Sequence, residues 1–180
     1  MPTRTVLVWM QSRTGSSMVT AVFAHHGLDI GPDPKGVHSG DYWSYEHRDL
    51  TRSALRHNDL CAIARHLHDL DLAKVPIPKS EIIQQAVDPR DYSHVYVRRN
   101  VMDAAVSFCK RGQKKEVKAA IPVIEDRFRQ MDVLQKEIGG VDINADELWR
   151  GEYRSLVEAF DYCGLAFMPE IASRVIEARP

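Results

Sequence analysis

The sequence predicts an α/β chain with a parallel central sheet and helices on both sides, in three layers. Three observations point there. Thr5-Val-Leu-Val-Trp-Met10 and His94-Val-Tyr-Val97 are short, apolar, β-rich runs of the kind buried on both faces of a parallel sheet. Each is followed by a polar turn and then by apolar residues at helical spacing, which is the opening of a βαβ unit. No internal repeat and no linker divides the 180 residues, so residues 1–180 are expected to form one domain around one core.

The elements follow in order. After the first strand, the polar stretch Gln11 to Ser17 contains Gly15 and reads as a tight turn. Met18 to Ala24 is helical, with Gly27 as its stop. Gly31 to Tyr45 is a loop rich in Gly, Pro, Asp and Ser. Leu50 to Leu70 carries one helical period, and Leu72 to Ile77 is a short strand ended by Pro76 and Pro78. Ser80 is placed to cap a helix running to Val87, with Glu81 in its first turn, and Asp88 to Asp91 is a turn. Beyond the His94–Val97 strand, Val101 to Lys110 is amphipathic. Lys114 to Ile138 is a longer helix expected to break near Pro122. Val141 to Ile143 is a last strand, Ala145 to Tyr162 a helix capped by Gly164, and a short helix follows Pro169.

Composition narrows the function. With 44% hydrophobic and 27% charged residues the chain is an ordinary globular one. A formal net charge of -1 supplies no field to gather nucleic acid, so no nucleic-acid partner is expected. No apolar run approaches the ~20 residues that span a bilayer, and no membrane partner is expected. A strand begins by Thr5, which is too early for a signal peptide. Cys61, Cys109 and Cys163 are widely spaced and odd in number, which fits reduced thiols and a cytoplasmic location. Nothing in the sequence sets an oligomeric state.

The turn after the first strand carries the clearest chemistry. Backbone N–H groups and the positive end of the following helix make an anion site there. Ser12, Thr14, Ser16 and Ser17 add hydroxyl donors, Arg13 adds a fixed positive charge, and Gly15 lets the backbone approach a ligand. The Walker A pattern fails: aligned on Gly15, its first Gly falls on Met10 and its Lys on Ser16. A magnesium-dependent ATP or GTP enzyme is therefore disfavoured.

Ser12-Arg13-Thr14-Gly15-Ser16-Ser17 resembles the 5′-phosphosulfate loop of sulfotransferases that use 3′-phosphoadenosine 5′-phosphosulfate (PAPS). Those loops read approximately Pro-Arg-Ser-Gly-Thr-Ser/Thr. Arg99-Asn100-Val101-Met102-Asp103-Ala104-Ala105-Val106-Ser107 resembles the second signature of that family, a strand followed by Arg-Asn/Asp-Pro-x-Asp-x-x-x-Ser, with Val101 in place of the Pro. The resemblance implies a P-loop-like sulfotransferase fold of a compact bacterial or phage type. It implies that Arg13, Thr14, Gly15, Ser16 and Ser17 hold the 5′-phosphate and sulfate. It also implies that Arg99 and Ser107 grip the 3′-phosphate. Read without the family, Arg99 would be a surface ion pair with Asp103, and Ser107 a helix hydroxyl bonded to its own backbone.

Lys74-Val75-Pro76 resembles the family's Lys-Thr-Pro segment, in which Lys neutralises charge on the departing bridging oxygen. The residues alone equally suit a solvated lysine. Cytosolic members place a His base in this stretch, and Pro76 stands at its position. Tyr42-Trp-Ser-Tyr-Glu46 resembles a stretch that supplies a Glu base in other members. Glu46 is the candidate base, with His47 and His38 as rivals. Val141 to Phe167 resembles the family's late strand-and-helix segment, whose apolar positions are core. The Arg-Lys-Gly loop with which many members cover the nucleotide has no counterpart in the sequence.

The expected reaction is transfer of a sulfuryl group from PAPS to a hydroxyl or amine of a small-molecule or carbohydrate acceptor, releasing PAP. Arg13, Lys74 and Glu46 are the catalytic candidates. No metal is expected, because the cradle itself supplies positive charge. His57, Cys61, His66 and His68 share a helical stretch but lack helix-facing metal spacings. Two other readings stand beside the transferase: a non-catalytic PAP- or PAPS-binding module, and a P-loop kinase for a small metabolite. The acceptor surface is expected on loops 31–45 and 110–122.

Overall fold

The computed structural model describes residues 4–10, 14–31, 50–110, 112 and 114–178. It contains β1 (Thr5–Met10), α1 (Ser16–His25), α2 (Leu50–His57), α3 (Leu60–His68), β2 (Leu72–Pro76) and α4 (Ser80–Ala86). Then come β3 (Tyr92–Arg98), α5 (Val101–Lys110), α6 (Val117–Ile138), β4 (Val141–Asn144), α7 (Ala145–Trp149), α8 (Arg154–Tyr162) and α9 (Pro169–Glu177). The strands form one four-stranded sheet in the order β2-β1-β3-β4, and every pairing is parallel. The predicted α/β architecture, a parallel sheet flanked by helices, is the observed one.

Strand alternation sorts the chain into layers. Val6, Val8, Leu72, Val95, Val97 and Ile143 face one side, where α1, α7, α8 and α9 cover them. Leu7, Trp9, Ala73, Val75 and Tyr96 face the other side, under α2, α3, α4 and α6. Adjacent residues of β1 thus enter opposite cores, which is why this strand reads as a continuous apolar run. Helix α5 stacks on α6 through Ala104, Ala105, Phe108, Ala120 and Ile124. Leaving β1, the chain goes to β2 on one side; leaving β3, it goes to β4 on the other. A crevice therefore opens at the carboxyl ends of β1 and β3, the place where open α/β sheets bind ligands.

The boundaries differ from expectation in informative ways. The single helix expected over Leu50 to Leu70 is two. Asn58 turns left-handed at φ 53°, and the Asp59 side chain accepts from the Ala62 N–H to start α3 afresh. Ser80 opens α4 as its first residue and does not cap it; Lys79 holds the cap position without a side-chain bond. Helix α6 runs unbroken through Pro122. Pro122 and Lys118, whose carbonyl loses its donor, are both exposed, so the Lys118 carbonyl is not sealed in the core without a partner. Ala145 to Tyr162 splits at Gly151, which has φ 75°. Gly164 ends α8 as expected: Leu165 N–H bonds Phe160 O at 2.9 Å and Gly164 N–H bonds Asp161 O at 2.9 Å, the paired bonds of a Schellman turn.

One polar chain is buried inside the sheet. Trp9 Nε1–H donates to His94 Nδ1 at 2.9 Å, and His94 Nε2 lies 2.8 Å from Pro89 O. An indole N–H can only donate, so Nδ1 must accept and Nε2 must carry the proton. His94 is therefore held neutral. Burial pushes it below the ordinary value of 6.5, outweighing the upward pull of the Pro89 carbonyl.

This geometry fixes a sign. A base whose folded pKa is lowered contributes stability that is complete above the unfolded value and lost as pH falls below it. Urea unfolding is expected to show stability declining from pH 7 to 5.5, and the decline is expected to shrink in His94→Gln. Equal declines in the two proteins would contradict the assignment. His25, also lowered by burial and by Arg174, leaves a residual slope of the same sign.

Candidate functional site

The turn after β1 ends on Gly15, which adopts the left-handed conformation at φ 88° and occupies the cap position of α1. A glycine has no side chain with which to cap, and the cap position of α1 makes no side-chain hydrogen bond. Val19 N–H bonds Gly15 O at 3.1 Å, so the helix proper is closed behind a first turn whose own amides point outward. Helix α5 differs in this respect. Asn100 Oδ1 accepts from Met102 N–H at 2.9 Å and Asp103 N–H at 3.3 Å, so that helix start is already occupied. The two termini therefore differ: α5 spends its first amides on Asn100, while the cap residue of α1 has no side chain to engage its own.

The hydroxyl side chains of the turn differ in their surroundings. Thr14 is fully buried. Ser16 is buried as well, and its hydroxyl donates to Met10 Sδ, 3.6 Å away. Ser17 is half-buried, and Lys74 Nζ donates to its Oγ at 3.0 Å. Lys74 sits on β2 opposite Val8, on the face that α1 covers. Its long side chain climbs from there to the first turn of α1. Lys74 is thus no solvated lysine; it is a half-buried ammonium beside the α1 start. Ser12 and Arg13 lie outside the described residues, as do Glu46, His47 and His38.

At the end of β3 two consecutive arginines separate, because strand neighbours point to opposite faces. Arg98 turns toward α6 and is consumed there. It pairs with Asp132 at 2.8 Å and Asp142 at 2.5 Å and donates to Gln135 at 3.1 Å. Arg99 turns the other way, toward α7. Its guanidinium carbon stands 4.4 Å from the centroid of Trp149, over the ring. Its buried Nε faces Asp146 Oδ1 at 3.5 Å, near enough for attraction but outside hydrogen-bond geometry. The ion pair expected with Asp103 is therefore made with Asp146. Arg99 lines a cleft of about 370 Å³ together with Asn100, Asp103, Asp146, Trp149 and Arg150.

Parallel pairing explains this meeting. Arg98 lies opposite Asn144, so the chain leaving β4 starts α7 directly beside the Arg99 turn. Asn144 caps α7 through Asp146 N–H at 3.0 Å, and Asp146 Oδ2 accepts from Asn100 N–H at 2.5 Å. The benzo edge of Trp149 closes on the first turn: a Cβ added at Gly15 would lie 2.7 Å from Trp149 Cη2. Gly15 and Arg99 are thus joined through one indole. Ser107 lies four residues beyond the cleft residue Asp103, on the same face of α5, and is half-buried. Asp146 and Trp149 escaped the sequence reading. Their signal was a tryptophan on a short polar helix at the carboxyl end of the last strand, where ligands collect.

Among the described residues no three His, Cys, Asp or Glu side chains are grouped to hold a metal ion. None of the described helices is long and apolar enough to cross a membrane.

No family model matches the sequence, and no curated protein does. A solved structure does resemble the fold: the sulfotransferase domain from the Synechococcus PCC 7002 olefin synthase superposes with a TM-score of 0.64 at 14% identity, covering 94% of this chain and 76% of that one. The chain therefore has the three-layer fold of that domain.

Gly15→Ala is expected to cost roughly 2–4 kcal/mol, from the positive φ and from the collision with Trp149. Trp149→Leu in the same background is expected to return the steric share and leave about 1 kcal/mol of backbone strain. Urea unfolding measures both; a Gly15→Ala protein as stable as the parent would contradict the contact.

Proposed function

We propose that this chain is a sulfotransferase that takes its sulfuryl group from PAPS. One observation carries the reading. Two cationic half-sites stand at the carboxyl edge of the sheet, one at Ser17 and Lys74 and one at Arg99, with Trp149 between them. A ligand with an anionic group at each end needs two cradles. The fold shared with a sulfotransferase domain supports the choice of donor class.

The residues fit such a ligand. The backbone N–H groups of the α1 start, the Ser17 hydroxyl and the Lys74 ammonium would hold the 5′-phosphosulfate. Arg13 would add a further charge there. Arg99 would bind the 3′-phosphate through its terminal nitrogens, and Ser107 would donate to the same group. When bound, PAPS supplies an activated sulfuryl group: the acceptor oxygen or nitrogen bonds to sulfur, the bridging S–O bond breaks, and the electron pair leaves on the 5′-phosphate of PAP. Lys74 would meet that negative charge as it develops, which would stabilise the transition state more than the ground state. Ser17 fixes where the ammonium sits. Glu46 is proposed to take the acceptor's proton, with His47 and His38 as alternatives. The acceptor class is a hydroxyl or amine of a small molecule or carbohydrate. We place the protein in the cytoplasm, a reading supported by three free thiols.

Isothermal titration calorimetry and a labelled-PAPS transfer assay test this together. PAP is expected to bind in the micromolar range and to lose about tenfold or more in Arg99→Ala. Lys74→Ala is expected to lower turnover by about 10²–10³. Preference for magnesium-ATP over PAP would overturn the reading in favour of a kinase. PAP binding without transfer to any acceptor of a broad panel would replace the enzyme by a binding module.

A further inference from the structure

Trp149 touches both halves of the proposed site without being part of either cradle. Arg99 lies over its ring, with the guanidinium carbon 4.4 Å from the centroid. Its opposite, benzo edge meets Gly15 so closely that a Cβ there would stand 2.7 Å from Cη2 and 3.1 Å from Cζ3. The indole is rigid, so these two contacts fix the distance between the α1 start and the guanidinium. The base of Trp149 is itself fixed. Its helix begins where β4 ends, is capped by Asn144, and is tied to the β3 exit by Asp146 accepting from Asn100 N–H. Arg99 has no hydrogen bond at Nε, only the Asp146 charge 3.5 Å away, so the aromatic face is what aligns its plane.

We infer that Trp149 is a positioning residue that gauges the separation of the two anion half-sites. It thereby selects ligands with two separated anionic groups over ligands with one. This inference rests on Arg99 being the ligand of the second anionic group, as proposed above.

PAP and AMP differ only in the 3′-phosphate, so their affinity ratio reads the Arg99 half-site alone. Calorimetry on the full chain is expected to show PAP binding more tightly than AMP. In Trp149→Leu, PAP is expected to weaken about tenfold while AMP changes less than about twofold. Trp149→Phe keeps a ring beneath the guanidinium but retracts from Gly15. It is expected to lose about threefold for PAP and nothing for AMP, and it carries the test if the leucine variant does not fold. Equal weakening of both ligands, or an unchanged PAP:AMP ratio in the variants, would overturn the gauge while leaving the PAPS reading in place. A parent protein that binds PAP no better than AMP would overturn the Arg99 assignment and the gauge with it.

Discussion

The site depends on the contact between a left-handed glycine and the edge of an indole. Gly15 has to take φ 88° to turn the chain from β1 into α1, and it has to lack a Cβ for Trp149 to close against it. Both demands fall on the same residue. The same contact sets how near the β4 exit comes to the β1 exit, and so where Arg99 stands relative to the α1 amides. A side chain at this position would push the two cradles apart and strain the turn at once.

Electrostatics follows from that placement. Three positive features share one edge of the sheet: the α1 start, Lys74 and Arg99. Assembling like charges is unfavourable, and the chain limits the cost by different means. Lys74 donates to the Ser17 hydroxyl beside the α1 start. Arg99 is balanced by Asp146 through its Nε side. Arg98 is fully spent on α6 and β4. Neighbouring arginines thus part toward α6 and α7 respectively, because a strand alternates its faces. Behind them the neutral Trp9–His94–Pro89 chain satisfies the polar groups of the sheet interior and adds no further charge.

What sequence could reach was local. The strand–turn–helix start, Lys74 and the Arg99 turn are each written within a few residues, and the structure places them at one edge. Ser107, which the resemblance implies, lies on the helix face that carries Asp103. The burial of Thr14 and Ser16 is not legible in their residue types, because it depends on the elements that pack over the turn. Trp149 and Asp146 were missed because their meeting with Arg99 depends on β4 pairing beside β3, a contact across nearly fifty residues of sequence. The helix errors have a common cause. Apolar periodicity continues through Asn58 and Gly151, while the chain is broken by backbone conformation, at positive φ. Pro122 failed in the other direction: its exposure, with that of Lys118, keeps the carbonyl that loses its donor out of the core.

The proposed function requires one ligand to bridge both cradles. A crystal structure of the chain soaked with PAP tests that most directly. The account predicts the 5′-phosphate at the α1 start against Lys74 and Ser17, and the 3′-phosphate on the terminal nitrogens of Arg99. PAP bound through one cradle alone, or with its 3′-phosphate away from Arg99, would contradict it.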